Sequence, residues 1–204
     1  MGRPAKFSVD QILDTTAQLV AEGGPSRATV AGISDRMGAP TGSIYHRFES
    51  RDLLLARLWV RTAERAQQGF IDALQNSDLD AAALDAALHI PRWARDNLDE
   101  ATVMLLYRRE DLAERWPDEL GDALDLLRSS VDDAVRSFVR RYFGRVSKSA
   151  MDATTFALLD VPYAAVRRHL LAGERPPALV DDLVATASTC VLRSRAARST
   201  GASA

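Results

Sequence analysis

The sequence predicts an all-α protein in which a three-helix head precedes a larger helical body, about nine helices in all. Three observations predict it. Apolar residues recur at three- and four-residue spacing from Ser8 to about Arg195, and no segment shows the strict alternation of a strand. Near the N-terminus, two short helical segments meet at Gly38, a residue free to take a left-handed turn. The chain has 204 residues, 47% of them apolar, which suits one large domain or a small head on a larger body.

The first helix opens on Ser8-Val9-Asp10-Gln11, a capping box. Ile12, Ala17, Leu19 and Val20 supply its apolar face until Gly23-Gly24-Pro25 ends it. Ahead of it, Arg3 and Lys6 form a short basic arm, which reads equally as a groove- or phosphate-reaching arm and as a frayed terminus. Thr29 stands where the second helix begins and is expected to cap it, with Val30, Ile33 and Met37 at core spacing. The third helix, around Thr41 to Phe48, is pinned by Ile44 and Phe48 at i and i+4, leaving Thr41, Gly42, Ser43, Tyr45, His46 and Arg47 to face outward. Gly42 costs a helix about 1 kcal/mol against Ala, which makes sense where a backbone must be approached closely. Two short helices across a tight Gly turn make a helix-turn-helix.

Ser50 caps a fourth helix, with Asp52 in its first turn, that runs to Leu74. At 1.5 Å per residue it would be about 37 Å long, enough for a rigid lever. The body continues with Ala81 to Asn97, where Pro91 should introduce a kink, then Glu100 to about Leu112, then Pro117 to Gly144. The last two helices are Ser147 to Ala172 and Pro177 to about Arg195, followed by a solvated, disordered tail. Pro162 falls inside the former and leaves a nearby carbonyl unpaired, which either orients a ligand or bends the helix. These two helices are apolar on nearly every side, more than one small body can cover. A two-fold dimer through them, as a four-helix bundle, is the expected solution.

The formal net charge of -2 excludes a protein that coats nucleic acid non-specifically. It leaves room for one small DNA-reading face. Arg3, Lys6, Arg27, Arg36, Arg47 and Arg51 are the only Lys or Arg before position 57, and all flank the expected reading head. The single Cys190 allows no internal disulfide, and His46, His89 and His169 have no metal-ligand spacing, so neither metal nor cofactor is expected. With no targeting segment and no apolar run of the roughly 20 residues a span needs, a cytoplasmic protein is expected.

The run from Ser8 to Leu55, with Thr29-Val30, Ile33-Ser34-Asp35-Arg36-Met37-Gly38 and Thr41-Gly42-Ser43-Ile44-Tyr45-His46-Arg47-Phe48-Glu49-Ser50-Arg51-Asp52-Leu53-Leu54, resembles the DNA-binding end of a tetracycline-repressor-type (TetR) transcriptional regulator. The resemblance implies a DNA-binding domain over 1–50 and a ligand-binding and dimerisation domain over 51–204. It implies that Thr41, Gly42, Ser43 and Tyr45 touch base edges and phosphates, that His46 and Arg51 touch phosphate, and that the helix beginning at Thr29 points its N–H groups at phosphate. Ala31 and Gly32 stand where the family often carries a long base-reader, so specificity leans on the third helix and Arg47. The implied partners are double-stranded operator DNA, a second copy of the chain and a small-molecule effector, with swing of the fourth helix coupling effector to DNA.

For the effector site, Trp93, Met104, Tyr107, Phe156 and Tyr163 are the expected lining, with Arg92, Asn97, Arg108 or Asp160 as polar anchors. A small, largely apolar effector that releases a repressor from a palindromic operator is the leading reading. The alternatives are an activator or ligand-independent regulator, a helical enzyme or binding module with a vestigial head, and a dimerisation scaffold. No nucleophile-base pair, phosphate loop or paired carboxylate supports an enzyme.

Overall fold

The computed structural model describes residues 7–107 and 121–201, with the backbone alone at 198–201. Among the described residues every regular element is helical: α1 (Val9–Gly23), α2 (Val30–Met37), α3 (Thr41–Tyr45), α4 (Arg51–Leu74), α5 (Leu79–Asp96), α6 (Leu98–Leu106), α7 (Gly121–Phe143), α8 (Lys148–Thr155), α9 (Val161–Leu171) and α10 (Leu179–Gly201). A 3-10 turn, Pro25–Arg27, stands between α1 and α2, and a π-helical turn, Phe156–Asp160, joins α8 to α9 without a break. With 148–171 counted as one helix, the described residues hold nine helices, in keeping with the all-α fold expected.

The helix starts follow their caps. Ser8 Oγ accepts from Gln11 N–H at 3.1 Å while Gln11 Oε1 accepts from Ser8 N–H at 2.8 Å, completing the capping box. Thr29, Ser50 and Ser147 each accept from the backbone N–H three residues on. Several expectations fall on residues outside those described: the Arg3 and Lys6 arm, Arg108, the stretch to Leu112, and the start at Pro117. The tail differs from expectation, because α10 continues past Arg195 to Gly201.

The chain divides into two compact units. The first takes in the described residues up to Ala63 and those between Leu98 and Leu124. Its core holds Ile12, Val20, Ile33, Ile44, Leu54, Leu58 and Val103, each fully buried, and α6 packs on α1. Arg61 ties three of its helices together, its guanidinium reaching Asp10 and Asp14 of α1 at 3.1 and 2.7 Å and Glu100 of α6 at 3.5 Å.

The second unit takes in Glu64–Asn97 and Asp125 onward. Here α5 packs on α9 and α10, over a core that includes Phe138, Val139, Leu158 and Val184. His89 of α5 enters a notch at Gly69 of α4, where its Nε2 lies 2.6 Å from the Ala66 carbonyl oxygen.

The region of Pro162 departs from a plain helix for a physical reason. Proline has no N–H and crowds the preceding turn, and the helix widens there, Val161 N–H reaching back five residues to the Phe156 carbonyl. In that register the Ala157 carbonyl faces a proline with no proton to offer. Ser188 Oγ of α10, 2% exposed, donates to it at 2.7 Å. The unpaired carbonyl is therefore held by the next helix.

Candidate nucleic-acid interface

The helix-turn-helix is set by local chemistry. Gly38 takes φ 61°, ψ 31°, the left-handed conformation, and Ala39 N–H then reaches the Ser34 carbonyl at 3.0 Å. Ile44 is fully buried and Phe48 is 4% exposed, so α3 is anchored by one edge. Thr41, Gly42, Tyr45 and His46 are exposed, and Ser43 is half-buried. Tyr45 is 54% exposed, an aromatic ring left in water with a free polar end. A Cβ added at Gly42 would meet nothing within 4 Å, so nothing in the protein's own packing demands a glycine there.

Arg47 is less available than the sequence suggests. Its Nη1 donates to the Ser43 carbonyl at 2.7 Å, folding the half-buried side chain back on its own helix. Thr29 is exposed and its hydroxyl accepts from Gly32 N–H at 3.0 Å. Gly32, which replaces a long side chain, has a local explanation. A Cβ there would lie 3.1 Å from Thr29 Oγ1 and 3.2 Å from the Arg27 carbonyl oxygen, tight against the turn that leads into α2. An open groove of about 450 Å³ runs past these residues, lined by Leu19, Ser26, Arg27, Thr29, Gly32, Asp35 and Arg36. At its edge Arg36 makes a bidentate pair with Glu22, 2.9 and 2.7 Å, whose hydrogen bonds hold the Glu22 carboxyl below its ordinary value.

Arg51 has partners within the head that the sequence does not signal. Its Nε donates to the Ala28 carbonyl at 2.8 Å and its Nη2 to the Pro25 carbonyl, while Nη1 lies 3.9 Å from Asp52. The guanidinium is engaged with the head's own backbone. The partners stand 23 and 26 residues away, and no periodicity signals them.

The five residues expected to line an effector site are divided between the two units. Met104 and Tyr107 belong to the first unit and Trp93, Phe156 and Tyr163 to the second. Trp93 and Met104 are half-buried. Tyr107 is half-buried too, and burial pushes its phenol above the ordinary value, with Arg51 and Asp52 the charges that act on it. Phe156 and Tyr163, seven apart on one continuous helix, are 50% and 45% exposed. A cleft of about 220 Å³ in the second unit is lined instead by residues that include Asp80, Leu84, Tyr142, Thr189, Leu192 and Arg193. Of the expected anchors, Arg92 lies 3.7 Å from Asp181, Asn97 donates to the Trp93 carbonyl, and Asp160 is exposed.

Residues 12–58 match the sequence model of the bacterial regulatory proteins of the tetR family. Among curated proteins none matches. Solved structures do. A TetR transcription regulator from Haloarcula marismortui is 16% identical with a TM-score of 0.70, over 91% of this chain and 96% of that one. The fatty acid degradation regulator FadR from Bacillus halodurans is 17% identical with a TM-score of 0.66, over 91% and 98%. FadR from Bacillus subtilis, solved in complex with stearoyl-CoA, is 14% identical with a TM-score of 0.60, over 91% and 96%. At such identities the likeness is one of fold. The chain thus carries the tetR-family sequence pattern over residues 12–58, and along nine-tenths of its length it is similar in fold to regulators of that family.

Proposed function

We propose that the chain is a repressor that binds a palindromic operator as a homodimer and leaves it when a small, largely apolar molecule binds the body. It acts by binding, in the cytoplasm, without turnover. Residues 1–50 form the reading head and 51–204 the effector and dimerisation domain. The observation that carries this reading is the outer face of α3, where Thr41, Gly42, Tyr45 and His46 stand exposed on the Ile44 and Phe48 anchors. Thr41, Gly42, Ser43 and Tyr45 touch base edges and phosphates, His46 touches phosphate, and Thr29 brings the start of α2 to the backbone.

The dimer uses the last helices. Five large apolar residues there are exposed: Phe156, Tyr163, Leu171, Leu179 and Leu183. On α10 the buried stripe is Val180, Val184, Ser188 and Leu192, and Leu179, Leu183 and Cys190 make a second, open one. A second copy of the chain covers that stripe, leaving two heads for two half-sites. That a protein of this fold was solved with stearoyl-CoA supports an effector with a long apolar part. Such an effector has to favour the non-DNA state by about 1–3 kcal/mol to act as a typical allosteric ligand.

The test is selection of genomic fragments by the purified protein, with the enriched site titrated at several salt concentrations beside Tyr45→Ala. The expected result is a palindromic site, bound by two chains, with affinity that falls steeply as salt rises and at least tenfold in the variant. Full affinity in Tyr45→Ala would remove the role given to α3. Enrichment of no fragment would remove the regulator reading itself.

A further inference from the structure

We propose that Arg51 is a positioning residue of the DNA-reading head, one that sets where α2 begins by gripping the turn before it and does not itself contact phosphate. The proposal rests on the DNA-binding reading above. The turn joins α1 to α2 within six residues, Gly24 to Thr29. Pro25 opens the 3-10 segment and its carbonyl accepts from Ala28 N–H at 3.3 Å. Ala28, fully buried, sits at φ −78°, ψ 63°, the conformation of an inverse γ-turn, closed by Thr29 N–H on the Arg27 carbonyl at 2.9 Å. Thr29 then caps α2.

Each of these bonds is local, and none refers the turn to the rest of the head. Arg51 does. Its Nε and Nη2 take the Ala28 and Pro25 carbonyls, the two that bracket the connection, from the first turn of α4. The third nitrogen is at Asp52, and the side chain is 37% exposed. A planar fork with fixed donor directions suits two carbonyls held at a set separation, and an ammonium on a flexible stem cannot span both. The missing Cβ at Gly32, closed in by Thr29 Oγ1 and the Arg27 carbonyl, marks how little play the start of α2 has. Backbone donors that meet a rigid partner serve only if held to within about 0.5 Å. Loss of the grip therefore weakens binding by misplacing α2, with every charge that meets DNA still present.

Arg51→Lys and Arg51→Gln distinguish this role from a phosphate contact. Binding to the enriched fragment is titrated across salt, and exchange of the Ala28, Thr29 and Gly32 amides is followed by NMR in the free protein. The expected result is an affinity loss of tenfold or more in both variants, a salt slope equal to that of the wild type, and faster exchange at those three amides with the α5 and α10 amides unchanged. A direct phosphate contact gives the opposite: Arg51→Lys binds as wild type, and Arg51→Gln lowers the slope by about 0.9. That pattern would overturn the proposal, as would unchanged exchange. If the wild type itself retains no fragment, the DNA-binding reading falls with the functional half of the proposal, and the exchange data, which need no DNA, still decide whether Arg51 holds the turn.

Discussion

Replacing Gly69 by Ala should destabilise this protein, although the same change in an ordinary helix interior stabilises by about 1 kcal/mol. A Cβ on Gly69 would stand 2.4 Å from His89 Cε1 and 2.8 Å from Nδ1, closer than atoms can approach. The ring cannot simply swing aside, since its Nε2 is held 2.6 Å from the Ala66 carbonyl oxygen. Overpacking of this kind costs about 1–3 kcal/mol, and giving up the hydrogen bond costs about 1 more. Set against the helix gain, the net loss is about 1–3 kcal/mol, or some 2–4 °C in melting temperature per kcal/mol for a chain of this size. In the His89→Ala background the notch is empty, and Gly69→Ala should there stabilise by about 1 kcal/mol. Urea unfolding of the four proteins, all at one concentration, measures this cycle. An effect of Gly69→Ala with the same sign in both backgrounds would refute the notch.

His89 also predicts a pH dependence. Burial lowers its pKa from the ordinary 6.5, against the hydrogen bond at Ala66 and the charge of Asp72, so the folded state binds the proton less tightly than the unfolded one. Its contribution is fully present above pH 6.5 and is lost as pH falls below it. Between pH 7.5 and 5.5 the wild type should lose more stability than His89→Asn, and equal losses would assign the acid sensitivity elsewhere. Leu183→Asp or Phe156→Asp places a charge on the open apolar face of the last helices. Each should keep its helical circular dichroism and sediment as a monomer, and a dimer that persists in both would move the interface off this face.

What the sequence by itself determined is what lies within a turn or two of the chain. Ser8, Thr29, Ser50 and Ser147 find their partners three residues away, and Gly38 needs only its own freedom to take the left-handed turn. Ile44 and Phe48 anchor α3 because a four-residue spacing fixes two side chains on one edge whatever lies beyond. The outward face follows by subtraction, so the exposed positions Thr41, Gly42, Tyr45 and His46 were legible. Arg51 was not. The family resemblance implies a phosphate contact for it, and nothing in the residue order signals the carbonyls 23 and 26 residues upstream that its guanidinium binds.

The body repeats this lesson. Periodicity gives the phase of a stripe and not its cover, and it does not reveal that Phe156 and Tyr163 lie half in solvent. The unpaired carbonyl near Pro162 was predictable from proline chemistry, but its partner, Ser188, comes from another helix. Gly69 carries no sign in the sequence that it makes room for His89. Helices, caps and turns are settled by bonds between near neighbours, and these follow from residue order. Which face meets which, and whether a cation is free for DNA or spent on the backbone, depends on groups that are distant in the chain, and only packing brings them within reach.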